Sequence, residues 1–109
     1  MSTTSKRPFW IGVADVVPVS GSRALGDASG AFVGVAGLSE SKAAFRDLVA
    51  RSLVTMGFQL FDLEDEELIE SAAQESSMDA ELLTKAHALT VERPLVFGTF
   101  HAYHGGEPS

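Results

Sequence analysis

Residues 39–63 constrain this chain more than any other stretch. Phe45, Leu48, Val49, Leu53 and Met56 recur at three- and four-residue spacing, while Lys42, Arg46, Asp47 and Arg51 take the opposite side. That pattern predicts a helix with one face built for burial. Ser39 is placed to accept hydrogen bonds from the first free amides, and Glu40 stands where the positive end of the helix dipole favours a carboxylate. After a last helical Met56, Gly57 suits the left-handed conformation that stops a helix. The stop folds Phe58 back over Leu53 and aims a strand over 58–63. A helix over 40–56 runs about 25 Å, enough to cross one face of a small sheet.

A chain of 109 residues is one domain by size and can bury a core without metal or disulfide help. Hydrophobic residues at 45% and charged residues at 21% are too apolar a balance for a disordered protein. With no cysteine, disulfides, thiolate nucleophiles and cysteine metal sites are excluded together, and a reducing, cytoplasmic location is expected. Fifteen acids against eight bases give a net charge of −7, which a nucleic-acid backbone would repel, so no nucleic-acid partner is expected. Lys6 and Arg7 precede an apolar run that Asp15 interrupts, and the run 31–38 is far below spanning length. Neither a secretion signal nor a membrane segment is expected.

Taken in order, residues 1–8 have the composition of a disordered leader, 9–104 of a single domain and 105–109 of a flexible tail. A strand is expected from Phe9 to about Pro18. Residues 20–30 are loop-like, with Gly21 and Gly26 at phosphate-loop spacing but Asp27 where that motif needs lysine. A second strand over 31–38 is apolar on both sides, with Gly34 and Gly37 leaving gaps that mark a bulge or a close approach. After the strand at 58–63 come Asp62, Glu64, Asp65, Glu66, Glu67 and Glu70, and the pattern predicts a helix starting inside this run, with Leu68, Ile69, Ala72 and Ala73 as its stripe. A further helix, capped at Ser76, carries Leu82, Leu83, Ala86 and Leu89 to about Thr90; a last strand covers 95–103. The expected fold is an α+β two-layer sandwich, a four-stranded mixed sheet in the order β-β-α-β-α-α-β with the helices mainly on one face. Its ingredients resemble those of ferredoxin-like sandwiches in a different order, and the resemblance implies nothing about function.

No stretch carries a catalytic or cofactor signature, and no cofactor is expected. His101 and His104 form an H-x-x-H pair, but on a strand they alternate faces and lack a third ligand, so no metal site is expected. No G-x-S-x-G elbow frames a serine. The acidic run lacks the spacing of a calcium loop. Strand alternation would group Leu95, Phe97, Thr99, His101 and Tyr103 on one face, the composition of a ligand floor or an interface. Two functions follow. One is a non-catalytic interaction protein, a homodimer in its own right, that takes a basic protein partner on its acidic surface (Asp62, Glu64, Asp65, Glu66, Glu67, Glu70) or on an open sheet face bearing Phe97, Thr99, His101 and Tyr103. The alternative is a small-molecule binder or small cofactor-free enzyme in which His101 acts as base beside Thr99 and Tyr103. The first is favoured because nothing in the sequence shows a convergent pocket.

Overall fold

The computed structural model describes residues 8–19 and 29–103. The glycine-rich connection at 20–28, the leader through residue 7 and the end from His104 lie outside the described residues. The stripe at 45–56 forms a helix, α1 (Lys42–Thr55), which buries Phe45, Val49 and Leu53. Its cap is Ser41 rather than Ser39, with Ala44 N–H donating to Ser41 Oγ at 3.1 Å. Upstream, Leu38 N–H still donates to the Pro94 carbonyl at 2.8 Å, so the chain at Ser39 has not yet left the sheet. Gly57 takes φ 89° and its N–H donates to the Val54 carbonyl at 3.1 Å, the left-handed stop its position predicts.

Around α1 lie β1 (Phe9–Pro18), β2 (Gly30–Gly37), β3 (Phe58–Ile69), the one-turn α2 (Ala72–Glu75), α3 (Ala80–Ala86) and β4 (Leu95–Tyr103). The sheet runs β3-β1-β2-β4, and every neighbouring pair is antiparallel. This corrects the expected mixed sheet. α1 does carry the chain from β2 to a strand running the same way, but β1 sits between the two and separates them. Nor do the helices share one face. α1 packs Phe45, Val49 and Leu53 against Ala14, Val16, Val33, Val35, Phe58 and Leu63. α3 packs Leu82 and Ala86 on the opposite face against Phe9, Ala36 and Ile69. A two-residue alternation on interior strands that is apolar on both sides requires cover on both sides, and here two helices divide the work.

The largest correction concerns β3. The chain does not turn helical inside the acidic run; the strand continues to Ile69. Leu68 and Ile69, which fit a helical stripe, instead alternate across the sheet, opposite Trp10 and Phe9 on β1. Two irregularities make the length possible. Between Ile11 and Val13 of β1 the partner residues run from Glu67 to Glu64, and between Asp15 and Val16 from Asp62 to Leu60. Each shift gives β3 one extra residue, around Asp65, which takes φ 56°, and around Phe61, which is 70% exposed. The acids therefore line a bulged edge strand, where charge and bulges both discourage pairing with another chain. α2 is capped by Ser71, whose Oγ accepts from Gln74 N–H at 3.2 Å. α3 is capped by Asp79 instead of Ser76, with Leu82 N–H donating to Asp79 Oδ2 at 3.0 Å.

Candidate functional site

α3 is short, and it covers only the end of the second face that carries Phe9, Ile11, Ala36 and Val96. At the other end the strand register builds a surface row by row. Asp62 stands opposite Asp15, Asp15 opposite Phe32, and Phe32 opposite His101. Directly opposed residues in an antiparallel pair share a face, so one row across the whole sheet reads acid, acid, aromatic, imidazole. The next row holds Glu64 opposite Val13 and Val13 opposite Gly34. Phe32 is 44% exposed and Val13 37%, although both lie on the two interior strands of the sheet.

Tyr103 ties this surface together. Its strand partner is Gly30, and the absence of a side chain there lets the phenol lie across β2: a Cβ on Gly30 would stand 2.5 Å from the phenol oxygen. The hydroxyl donates to Asp15 Oδ1 at 2.6 Å, and the ring meets that of Phe32 with centroids 5.1 Å apart. The hydrogen bond to Asp15, then burial, then the Asp15 charge push the phenol up from 10.0 to about 12. On the acidic side, Glu64 is raised above the ordinary 4.5, first by a hydrogen bond with Asp62 and then by the Asp62 charge, with burial, Asp65 and Asp15 adding to it. The crowding is chiefly between Asp62 and Glu64, two residues apart on β3, and Asp15 on the neighbouring β1 adds least.

The six acids of the run do not form one surface. Asp62 and Glu64 join the open rows, Asp65 occupies the bulge, Glu67 accepts from Gln74 Nε2 at 2.9 Å, and Glu70 lies beyond the strand, its N–H donating to Gln74 Oε1 at 2.8 Å. The expected grouping on β4 is also divided. Between Val33 and Val35 of β2 the β4 partners run from Phe100 to Phe97, so an extra residue around Gly98 and Thr99 reverses the alternation. Phe97 joins Leu95 and Phe100 on the α1 face; Thr99, His101 and Tyr103 stay on the second face. Asp15, Phe32 and Val13 were not singled out in the sequence. Asp15 inside an apolar strand was the available signal, but its neighbours depend on the register.

The same β4 bulge opens a cleft against α3, with a volume of about 360 Å³, lined by Gly34, Gly98, Leu82, Asp79, Glu81, Thr99 and His101. Thr99 Oγ1 donates to Glu81 Oε1 at 3.0 Å. Lys85 Nζ donates to the Phe97 carbonyl at 3.0 Å and lies 3.4 Å from Glu81 Oε2, which pins α3 over the bulge. Among the described residues no group of three or more His, Asp or Glu stands where it could hold a metal ion, and no helix is long and apolar enough to cross a membrane. No protein-family model, no curated protein and no solved structure matches this chain.

Proposed function

We propose that the protein is a small non-catalytic binding domain that docks a basic segment of a protein partner on the open half of its second face. The observation that carries this reading is the row Asp62, Asp15, Phe32: an aromatic ring exposed on an interior strand beside carboxylates that already crowd one another. An interior strand gains most from cover, and a partner that brings lysine or arginine with an apolar residue would bury Phe32 and Val13 while relieving the repulsion around Glu64. A second copy of this chain suits the surface less well. No lysine or arginine stands in these rows among the described residues, and each copy carries a net charge of −7.

The alternative, a reaction at Thr99, His101 and Tyr103, is less well supported because both hydroxyl protons are already given to carboxylates. Tyr103 donates to Asp15 and Thr99 to Glu81, so neither hydroxyl donates to His101 as an activated nucleophile would.

Calorimetric titration of short peptides combining lysine or arginine with leucine, phenylalanine or tryptophan tests the proposal. Binding is expected to weaken as salt rises. Phe32→Ser is expected to cost about 2 kcal/mol of affinity, roughly 30-fold, as a central aromatic anchor does. Asp62→Asn with Glu64→Gln is expected to flatten the salt dependence. Equal affinity in all three proteins, or no peptide bound at low salt, refutes the reading.

A further inference from the structure

The cleft beside α3 has a construction of its own. Its floor is the backbone of two neighbouring strands, because Gly34 of β2 and Gly98 in the β4 bulge both lack side chains there. A Cβ on Gly34 would stand 3.3 Å from Leu82 Cδ2, and one on Gly98 would stand 3.9 Å from Leu82 Cδ1 and 3.5 Å from the Gly34 carbonyl oxygen. Two ordinary side chains would therefore fill the space under Leu82. What remains is a cleft of about 360 Å³ in which Leu82 and the two glycines are lined up with Asp79, Glu81, Thr99 and His101.

We infer that this cleft binds one alkylammonium or guanidinium group carried on a short apolar stem. The stem lies over the Gly34 and Gly98 backbone against Leu82, and the cationic head meets the Asp79 and Glu81 carboxylates. A long basic side chain divides its burial in this way, stem dry and charge at the rim. Asp79 supplies the decisive charge. Glu81 already accepts from Thr99 and faces Lys85, whereas Asp79 uses Oδ2 to cap the Leu82 amide and keeps the rest of its carboxylate for a donor. The volume lies within the range of small-ligand pockets. The cation can come from a free amine or from a lysine or arginine of a partner; only the second source rests on the docking reading above.

The test follows backbone amide resonances of the full chain during titration with butylamine and butylguanidine, with butanol and butyrate as neutral and anionic controls of equal stem. Shifts are expected at Gly34, Leu82, Gly98 and Thr99 for the two cations and not for the controls. Asp79→Asn keeps a capping side chain and removes the charge, so it is expected to weaken cation binding at least fivefold with an unchanged denaturation midpoint. Gly98→Val, placed where a Cβ meets only ordinary contacts, is expected to abolish it. Butanol matching butylamine, or cation shifts that survive both variants, overturns the inference. The source is read from a lysine peptide and its acetylated form. If the peptide competes with butylamine and the acetylated form does not, the cleft takes a partner's side chain. If the amine binds without competition, the cleft takes a free amine. Phe32→Ser lies outside the cleft, so peptide docking left unchanged by it, with butylamine binding intact, would refute the docking reading alone.

Discussion

Tyr103→Phe removes one hydroxyl and, with it, the bond that ties the end of β4 across Gly30 to Asp15 on β1. The phenol is pushed from 10.0 to about 12 by that bond first, then by burial and by the Asp15 charge. Two units between folded and unfolded chains would correspond to ~2.7 kcal/mol. Tyr103 is partly open to solvent, which screens the interaction, so the expected loss on Tyr103→Phe is about 1–2 kcal/mol, near the lower range for hydrogen bonds to charged groups. The sign follows from proton binding. Between pH 10 and 12 the unfolded chain loses the phenolic proton while the folded chain retains it, so stability falls as pH rises through that window and is fully present below it. The chain has one tyrosine, so phenolate absorbance during alkaline titration reports this group alone. A midpoint near 12 in the native protein, a fall toward 10 in Asp15→Asn, and a pH-insensitive denaturation midpoint over the same range in Tyr103→Phe are expected. A native midpoint near 10 would refute the reasoning, since the bridge would then not hold in solution.

Other substitutions probe the two faces separately. Phe45→Ala opens a void in the fully buried α1 cluster beside Trp10, 6.3 Å away between centroids, and is expected to cost about 3–5 kcal/mol by chemical denaturation. Gly37→Ala places a methyl 2.9 Å from Leu95 Cδ1 and 3.1 Å from both Phe45 Cε1 and the Pro94 carbonyl oxygen; since backbone is among the neighbours, a loss of about 1–3 kcal/mol is expected. Glu64→Gln removes one of two neighbouring carboxylate charges and gives Asp62 an amide donor. Because Glu64 is raised, its charge opposes folding above its folded-state value. The variant is therefore expected to raise the thermal midpoint at neutral pH, with the gain shrinking as acid protonates the native carboxyl.

How far the sequence carried depends on whether a pattern was local. The α1 stripe, the Gly57 stop and β1 rest on periodicity and one special φ, and both are legible within a few residues. The acidic run misled because Leu68, Ile69, Ala72 and Ala73 satisfy a helical spacing that β3 reads differently once Phe9 and Trp10 pair with it. Bulges were the other blind spot. One extra residue near Gly98 sends Phe97 to the α1 face and leaves Thr99, His101 and Tyr103 behind, and nothing in residues 95–103 marks the shift except the glycine itself. The open rows were hidden for the same reason: Asp15, Phe32 and Asp62 are far apart in the chain, and only the register brings them together. The expectation of helices mainly on one face missed α3, which covers one end of the second face and leaves Phe32 and Val13 exposed at the other.

Chemical-shift mapping of a basic peptide onto the labelled domain tests the docking surface most directly. The largest changes are expected at Val13, Asp15, Phe32, Asp62, Glu64, His101 and Tyr103, with α1 residues such as Arg46 and Arg51 unmoved. Changes centred on α1, or spread along the β3 acids from Asp65 to Glu70 without Phe32, would place the contact elsewhere and contradict the assignment of the open half-face as the binding surface.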